Sequence, residues 1–175
     1  LLLTTLEQKL ELLEEAGIDY VYLVNFDNER SRAPASVFFR EAFVEGVRAK
    51  SIVVGEDFHF GNNREGNVEL LHREGEASGI DVVDIALVKV THDSPEPVSS
   101  TAIRRKLAGG DIEAVSKMLG RSFEIRGTVV EGDKRGRSIG FPTANIPVPK
   151  IMAWPADGVY AGWYIRPGRA PLMTA

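Results

Sequence analysis

The amino-acid sequence predicts an α/β protein built on a parallel sheet, followed by a smaller β-rich module. Nearly continuous apolar runs at 20–26 (YVYLVNF), 51–55 (SIVVG) and 80–90 alternate with segments of helical period. Strands without polar alternation, separated by helices, fit a parallel sheet covered on both faces. Near residue 120 the pattern changes: Phe123, Ile125, Gly127 and Val129 alternate as in an antiparallel strand. A domain boundary is placed there, giving residues 1–120 and 121–175. The second stretch is short for an independent core.

The elements follow in order. Thr4 and Glu7 have the spacing of a capping box, and Leu6, Leu10 and Leu13 recur on one helical face up to Gly17. Pro34 can open a second helix, with Phe39, Phe43 and Val47 on one side. After the strand at 51–55 comes a polar, glycine-bearing loop at 56–66, then a third helix ending at Gly79. Two short helices at 101–108 and 112–119 are split by Gly109-Gly110, with Asp111 an N-cap and Gly120 a C-cap. Beyond 120, Gly, Pro and short β-like pieces such as 158–165 dominate. Trp154 and Trp163 are expected to pack that second module.

Bulk composition narrows the function. No apolar run is long enough to cross a membrane as a helix. There is no cysteine, which excludes disulfides and thiolate metal sites and fits a reducing cytoplasm. His59, His72 and His92 lack metal-ligand spacing. A net charge of −4 argues against general nucleic-acid binding. The charge is uneven: residues 121–151 hold six Lys/Arg against three acids, so that stretch is +3 and the remainder −7. A local basic patch in an acidic chain suits a small anionic ligand. Both ends read as cut from something longer, since the chain opens on three leucines and stops just after a strand-like segment.

Three runs could carry chemistry. Gly55-Glu56-Asp57-Phe58-His59-Phe60-Gly61 follows a strand, where parallel α/β sheets hold ligands. Its aromatics, histidine and carboxylate could hold a flat heteroaromatic ring; a plain βα turn with Phe58 or Phe60 tucked under the sheet fits equally well. Ser99-Ser100-Thr101, with Arg104 one turn on, opens a helix and could bind an anion. An ordinary N-cap with a solvent-facing arginine explains the same residues. The third run, Gly132-Asp133-Lys134-Arg135-Gly136-Arg137 followed by Gly140-Phe141-Pro142-Thr143-Ala144-Asn145, suits a phosphate loop and not a helix. If Ala144 is extended, Thr143 and Asn145 share one face. Hydroxyl and amide oxygens there suit Mg²⁺.

These runs occur together in one family. VVGEDFHFG (53–61), VSSTAIRRKLAGGDIEAVSKMLGR (98–121), GTVVEGDKRGRSIGFPTANI (127–146) and PADGVYAGW (155–163) make the chain resemble the prokaryotic bifunctional riboflavin kinases/FMN adenylyltransferases along essentially its whole length. The resemblance implies a Rossmann-like nucleotidyltransferase domain lacking its first unit, followed by part of a six-stranded antiparallel riboflavin kinase β-barrel. It implies ATP-dependent phosphorylation of riboflavin to FMN and adenylylation of FMN to FAD, both with Mg²⁺. It implies flavin contacts at Gly55, Asp57, Phe58, His59, Phe60 and Gly61, His59 standing where relatives often carry Arg. It implies ATP phosphate contacts of the adenylyltransferase at Ser99, Ser100, Thr101 and Arg104. For the kinase it implies ATP contacts at Gly132, Gly136, Arg137, Thr143 and Asn145, with Mg²⁺ at Thr143 and Asn145. The HxGH signature and the barrel glutamate base that the family uses are not among these residues, so no catalytic residue is assigned and little activity is expected of these residues alone. A non-catalytic flavin- or nucleotide-binding module, and another adenylyltransferase of the same superfamily, are the competing readings.

Overall fold

A computed structural model describes residues 1–175 except 92–95, 134, 139, 141, 142 and 175, with backbone only at 135 and 138. His92, Lys134, Phe141 and Pro142, singled out above, lie outside the described residues. The chain divides into two compact units, residues 10–89 and residues 1–9 with 90–175.

In the first of these, β1 (Ser51–Gly55) pairs in parallel with β2 (Asp81–Ile85), from Ser51 opposite Asp81 to Gly55 opposite Ile85. The connection carries α3 (Val68–Ser78), as a parallel crossover requires. Asn67 caps α3 by accepting from the Leu70 N–H at 2.9 Å, and Gly79 at φ +67° ends it. Gly75 brings this helix close to β2, since a Cβ there would fall 2.6 Å from Val82 Cγ2. α2 (Ala35–Phe39) opens after Pro34 and continues as a π-helical segment, Arg40–Gly46. Phe39, Ile52, Phe60, Leu71, Ile80 and Ala35 form the core, with Phe38, Phe43 and Val82 packed against it.

In the other unit, α4 (Ser100–Ala108) and α5 (Ile112–Leu119) form a helical hairpin around Ile103, Leu107, Val115 and Ala153. Asp111 caps α5 by accepting from the Ala114 N–H, and Gly120 at φ +69° ends it, as expected. Leu2 forms a parallel bridge with Met152. Further along come α6 (Arg135–Ser138) and the antiparallel pair β3 (Gly162–Tyr164) and β4 (Leu172–Thr174). α1 (Leu6–Glu15) crosses the division between the units.

Several sequence expectations are corrected. The capping box at α1 lies one residue later: Thr5 N–H donates to Gln8 Oε1 at 2.9 Å, and Gln8 N–H to Thr5 Oγ1 at 3.2 Å. Both Thr4-x-x-Glu7 and Thr5-x-x-Gln8 match the pattern, and only the geometry separates them. Residues 20–26 are not a buried strand; Tyr20 is 93% exposed and no ladder forms there, because β1 and β2 pair only with each other. Val47 leaves the Phe39–Phe43 face because the π-helical segment turns less per residue, its N–H bonding back to Ala42 O. The strand in 80–90 stops at Ile85, and the one in 158–165 is confined to 162–164.

Three expectations fail in the β-rich stretch. Residues 123–129 form no strand; only Val130 bridges, to Asn145. The basic run is not wholly loop, since Arg135–Ser138 makes one helical turn. Trp154 and Trp163 are substantially exposed, because helices and Ala153, not β3 and β4, build the buried cluster.

Candidate functional site

The loop after β1 is shaped by its own backbone and by both strands' carboxyl ends. Glu56 N–H donates to Ile85 O at 2.9 Å, and Glu56 Oε1 accepts from Leu87 N–H at 3.1 Å. Phe58 N–H donates to Gly55 O, closing a tight turn that leaves Asp57 exposed at its tip. His59 Nδ1 lies 2.8 Å from Asp57 O. A carbonyl only accepts, so Nδ1 carries the proton and Nε2 is the ring nitrogen left for a ligand. The Phe58 and Phe60 rings stack at 5.6 Å. Phe60 is a core residue, 6% exposed, and it also meets Phe38, so it supports the loop from below. Half-buried Phe58 is the ring of this pair with surface to offer. Gly61, at φ +75°, lies against Ala35.

At α4, Ser99 Oγ accepts from the Ala102 N–H at 3.1 Å, an N-cap, while Ser100 and Thr101 are exposed on the first turn. Arg104 is half-buried, and its Nε donates to Leu1 O at 2.6 Å. The cap and the arginine are therefore both engaged within the protein, and the two exposed hydroxyls remain for an anion. Glu96, ahead of this helix, accepts from Arg105 on it and raises the guanidinium pKa by that hydrogen bond. Lys106 donates to Asp111 at 3.1 Å; that bond, with the cap to Ala114, lowers the Asp111 carboxyl.

In the third run, Val130 N–H donates to Asn145 O at 2.8 Å and draws two strand-like segments together. Gly127 and Gly132 permit this closeness. A Cβ at Gly127 would fall 2.5 Å from Ile146 Cγ2, and one at Gly132 would overlap the Asn145 amide nitrogen. Thr143 and Asn145 are exposed. Gly136 is half-buried within α6, Arg137 is exposed, and Gly140 at φ +86° donates to Arg137 O. Among the described residues no group of three His, Cys, Asp or Glu could hold a metal. Thr143 and Asn145 are neutral oxygen donors, a set that fits a hard cation supplied largely by phosphates and water.

Sequence reasoning missed Glu65, which accepts from the Ala35 N–H at 2.8 Å, 30 residues away. It also missed Tyr160, whose hydroxyl donates to Ala156 O at 2.7 Å beside Gly110. The first bond spans 30 residues, and the second spans four in a stretch with no helix, so neither follows a periodic pattern in the sequence.

Comparison with known proteins identifies the family. Residues 1–102 match the FAD synthetase family, and residues 119–174 match the riboflavin kinase family. Curated relatives named bifunctional riboflavin kinase/FMN adenylyltransferase include one from Escherichia coli (strain K12), 39% identical over 97% of this chain and 53% of its own length. One from Haemophilus influenzae is 36% identical over 91% of this chain and 50% of its own, and one from Bacillus subtilis is 33% identical over 91% and 49%. The chain thus spans about half the length of the curated relatives it matches. A solved structure described as a macrolide-efflux protein from Streptococcus pneumoniae superposes with a TM-score of 0.78 at 27% identity, covering 98% of this chain and 59% of that one. No helix among the described residues is long and apolar enough to cross a membrane. With its α/β fold and parallel strand pair, and with more than half its length matched, the chain belongs to the FAD synthetase family.

Proposed function

We propose that this chain is part of an enzyme of FAD biosynthesis that phosphorylates riboflavin to FMN and adenylylates FMN to FAD. The observation that carries this reading is the succession of two family matches on one chain, FAD synthetase then riboflavin kinase. In this reading residues 1–120 belong to a Rossmann-like adenylyltransferase and 121–175 to the start of an antiparallel kinase barrel, in a cytoplasmic protein.

Each reaction is a phosphoryl-type displacement. In adenylylation an FMN phosphate oxygen bonds to the α-phosphorus of ATP, the bond to the bridging β-oxygen breaks, and pyrophosphate leaves. In the kinase step a ribityl hydroxyl oxygen bonds to the γ-phosphorus, the bond from that phosphorus to the β,γ-bridging oxygen breaks, ADP leaves, and the hydroxyl proton passes to solvent. Such displacements gain most from alignment and charge neutralisation. Gly55, Asp57, Phe58 and His59 would orient the flavin, Asp57 by accepting from ring N–H and Phe58 by stacking. Phe60 and Gly61 would act beneath, as support. Ser100 and Thr101 would hold ATP phosphates of the adenylyltransferase; Ser99 would cap the helix that presents them, and Arg104 would join them on giving up its bond to Leu1 O. Gly132, Gly136 and Arg137 would border the kinase ATP, and Thr143 and Asn145 would present oxygens to its Mg²⁺. Bound Mg²⁺ would supply positive charge to the phosphates.

Titration of the chain with FMN, riboflavin and MgATP tests the assignment. Asp57→Ala is expected to weaken flavin binding at least about tenfold and to leave MgATP unchanged. Asn145→Ala is expected to weaken MgATP and spare FMN. Flavin binding that ignores Asp57, or a chain that takes neither ligand, would refute it.

A further inference from the structure

The loop after β1 is anchored at its far end by a carboxylate with no part in the contacts above. Glu65 accepts a hydrogen bond from the Ala35 N–H at 2.8 Å. Ala35 opens α2, where the first amides lack intrahelical partners, and Pro34 before it supplies no side-chain cap. Glu65 fills that gap with a charged acceptor, the stronger kind. Asn62 N–H donates to Ala33 O at 2.9 Å in the same place. Phe60 and Gly66 exchange two backbone hydrogen bonds, of 3.0 and 2.9 Å, and so close residues 60–66 into a turn. That turn is seated on Ala35: a Cβ at Gly66 would fall 2.8 Å from Ala35 Cβ. Within it Asn63 and Arg64 hold φ of +50° and +59°, a conformation non-glycine residues adopt at a cost. A turn so strained stays in place only when something outside it holds it.

We propose that Glu65 is a positioning residue for flavin binding. By holding residues 60–66 on the start of α2 it fixes residues 55–60 and presets Asp57 and His59. Phe60 joins the two stretches, because it belongs to the closed turn and stacks under Phe58. The proposal rests on the reading of residues 55–61 as the flavin contact. A loop already in its binding conformation has less freedom to lose when ligand arrives, and affinity rises accordingly.

The test compares Glu65→Ala with Glu65→Gln, which keeps a side-chain oxygen acceptor. Amide hydrogen exchange and FMN affinity, the latter from flavin fluorescence, are both read. Glu65→Ala is expected to speed exchange at Ala35 and Asn62 about tenfold and to weaken FMN about fivefold. Glu65→Gln is expected to recover most of both. Unchanged exchange at Leu71 and unchanged MgATP affinity show that the core and the rest of the chain are intact. The proposal is overturned if Glu65→Ala leaves exchange and FMN affinity at wild-type values, or if Glu65→Gln is as weak as Glu65→Ala. A wild-type chain that takes no FMN overturns the flavin reading itself, an outcome told apart because exchange at Ala35 and Asn62 still reports the hold of Glu65.

Discussion

Gly61→Ala is the sharpest test of how the loop is held. Gly61 has φ +75° and ψ 179°, a region open essentially to glycine alone, where another residue costs about 1–3 kcal/mol. Its new methyl would also fall 2.5 Å from Ala35 Cα, 2.7 Å from Ala35 Cβ and 2.7 Å from Ala35 N. Two of those atoms are backbone at the start of α2, so the contact cannot be relieved by a rotamer change. Overpacking of this kind costs about 1–3 kcal/mol. Together the effects give a loss of about 2–5 kcal/mol, allowing for shared relief. Tryptophan fluorescence does not report it, because Trp154 and Trp163 lie in the other unit. Hydrogen exchange at the Ile52 and Leu71 amides does, as both belong to this core. Adding Ala35→Gly removes only the Cβ contact and should restore less than half of the loss. A Gly61→Ala chain within about 0.5 kcal/mol of wild type, the size of an ordinary surface change, would refute the reasoning.

Other outcomes follow from the same structure. Leu107→Ala empties a fully buried position between α4, α5 and Ala153 and should cost about 2–5 kcal/mol, read by urea unfolding with tryptophan emission. Gly132→Ala sets a methyl against the Asn145 amide and should weaken MgATP binding while leaving FMN binding alone, as calorimetric titration of the two ligands would show. His72 Nε2 lies 3.0 Å from Asp84 Oδ1, and that hydrogen bond holds the Asp84 carboxyl below its ordinary value. A depressed folded-state value means the bond adds stability above the ordinary carboxylate range, lost as pH falls through the lowered value. His72→Ala should therefore move the Asp84 titration upward in a carboxyl-detected NMR experiment, and the stability gap between the two chains should close in acid.

Local signals in the sequence are reliable at several helix ends, though the box at α1 shows that two overlapping patterns leave the register open. Asp111 and Gly120 bound α5 as read, and Gly79 ends α3, because caps depend on a few adjacent residues. The segment at 51–55 is a strand because its apolar run meets a partner in 81–85. Residues 20–26 are a comparably apolar run with no partner, and apolar character alone does not reveal a missing ladder. The π-helical widening after Phe39 is invisible to a 3.6-residue period, which puts Val47 on the wrong face. At the candidate site, the loop's place after β1 was legible. The separation of Phe58 from Phe60 was not, since which ring goes under depends on Phe38 and the rest of the core. Glu65 was hidden for a similar reason: its partner is 30 residues away.

The cluster around Leu107 bears on how this protein is taken apart. Its members Ile103, Leu107 and Val115 lie between the two family-matched stretches, which end at 102 and begin at 119. Their companion Ala153 lies inside the second stretch. A cut at 120 would therefore strip Ala153 and Phe123 from the cluster and leave the first fragment with Ile103, Leu107 and Val115 uncovered on that side, a surface prone to aggregation. By packing, residues 90–175 go with residues 1–9, and residues 10–89 form the other unit. A laboratory wishing to express the stretch that matches the riboflavin kinase family should carry the helices α4 and α5 along with it, although the bounds of the match would leave them behind.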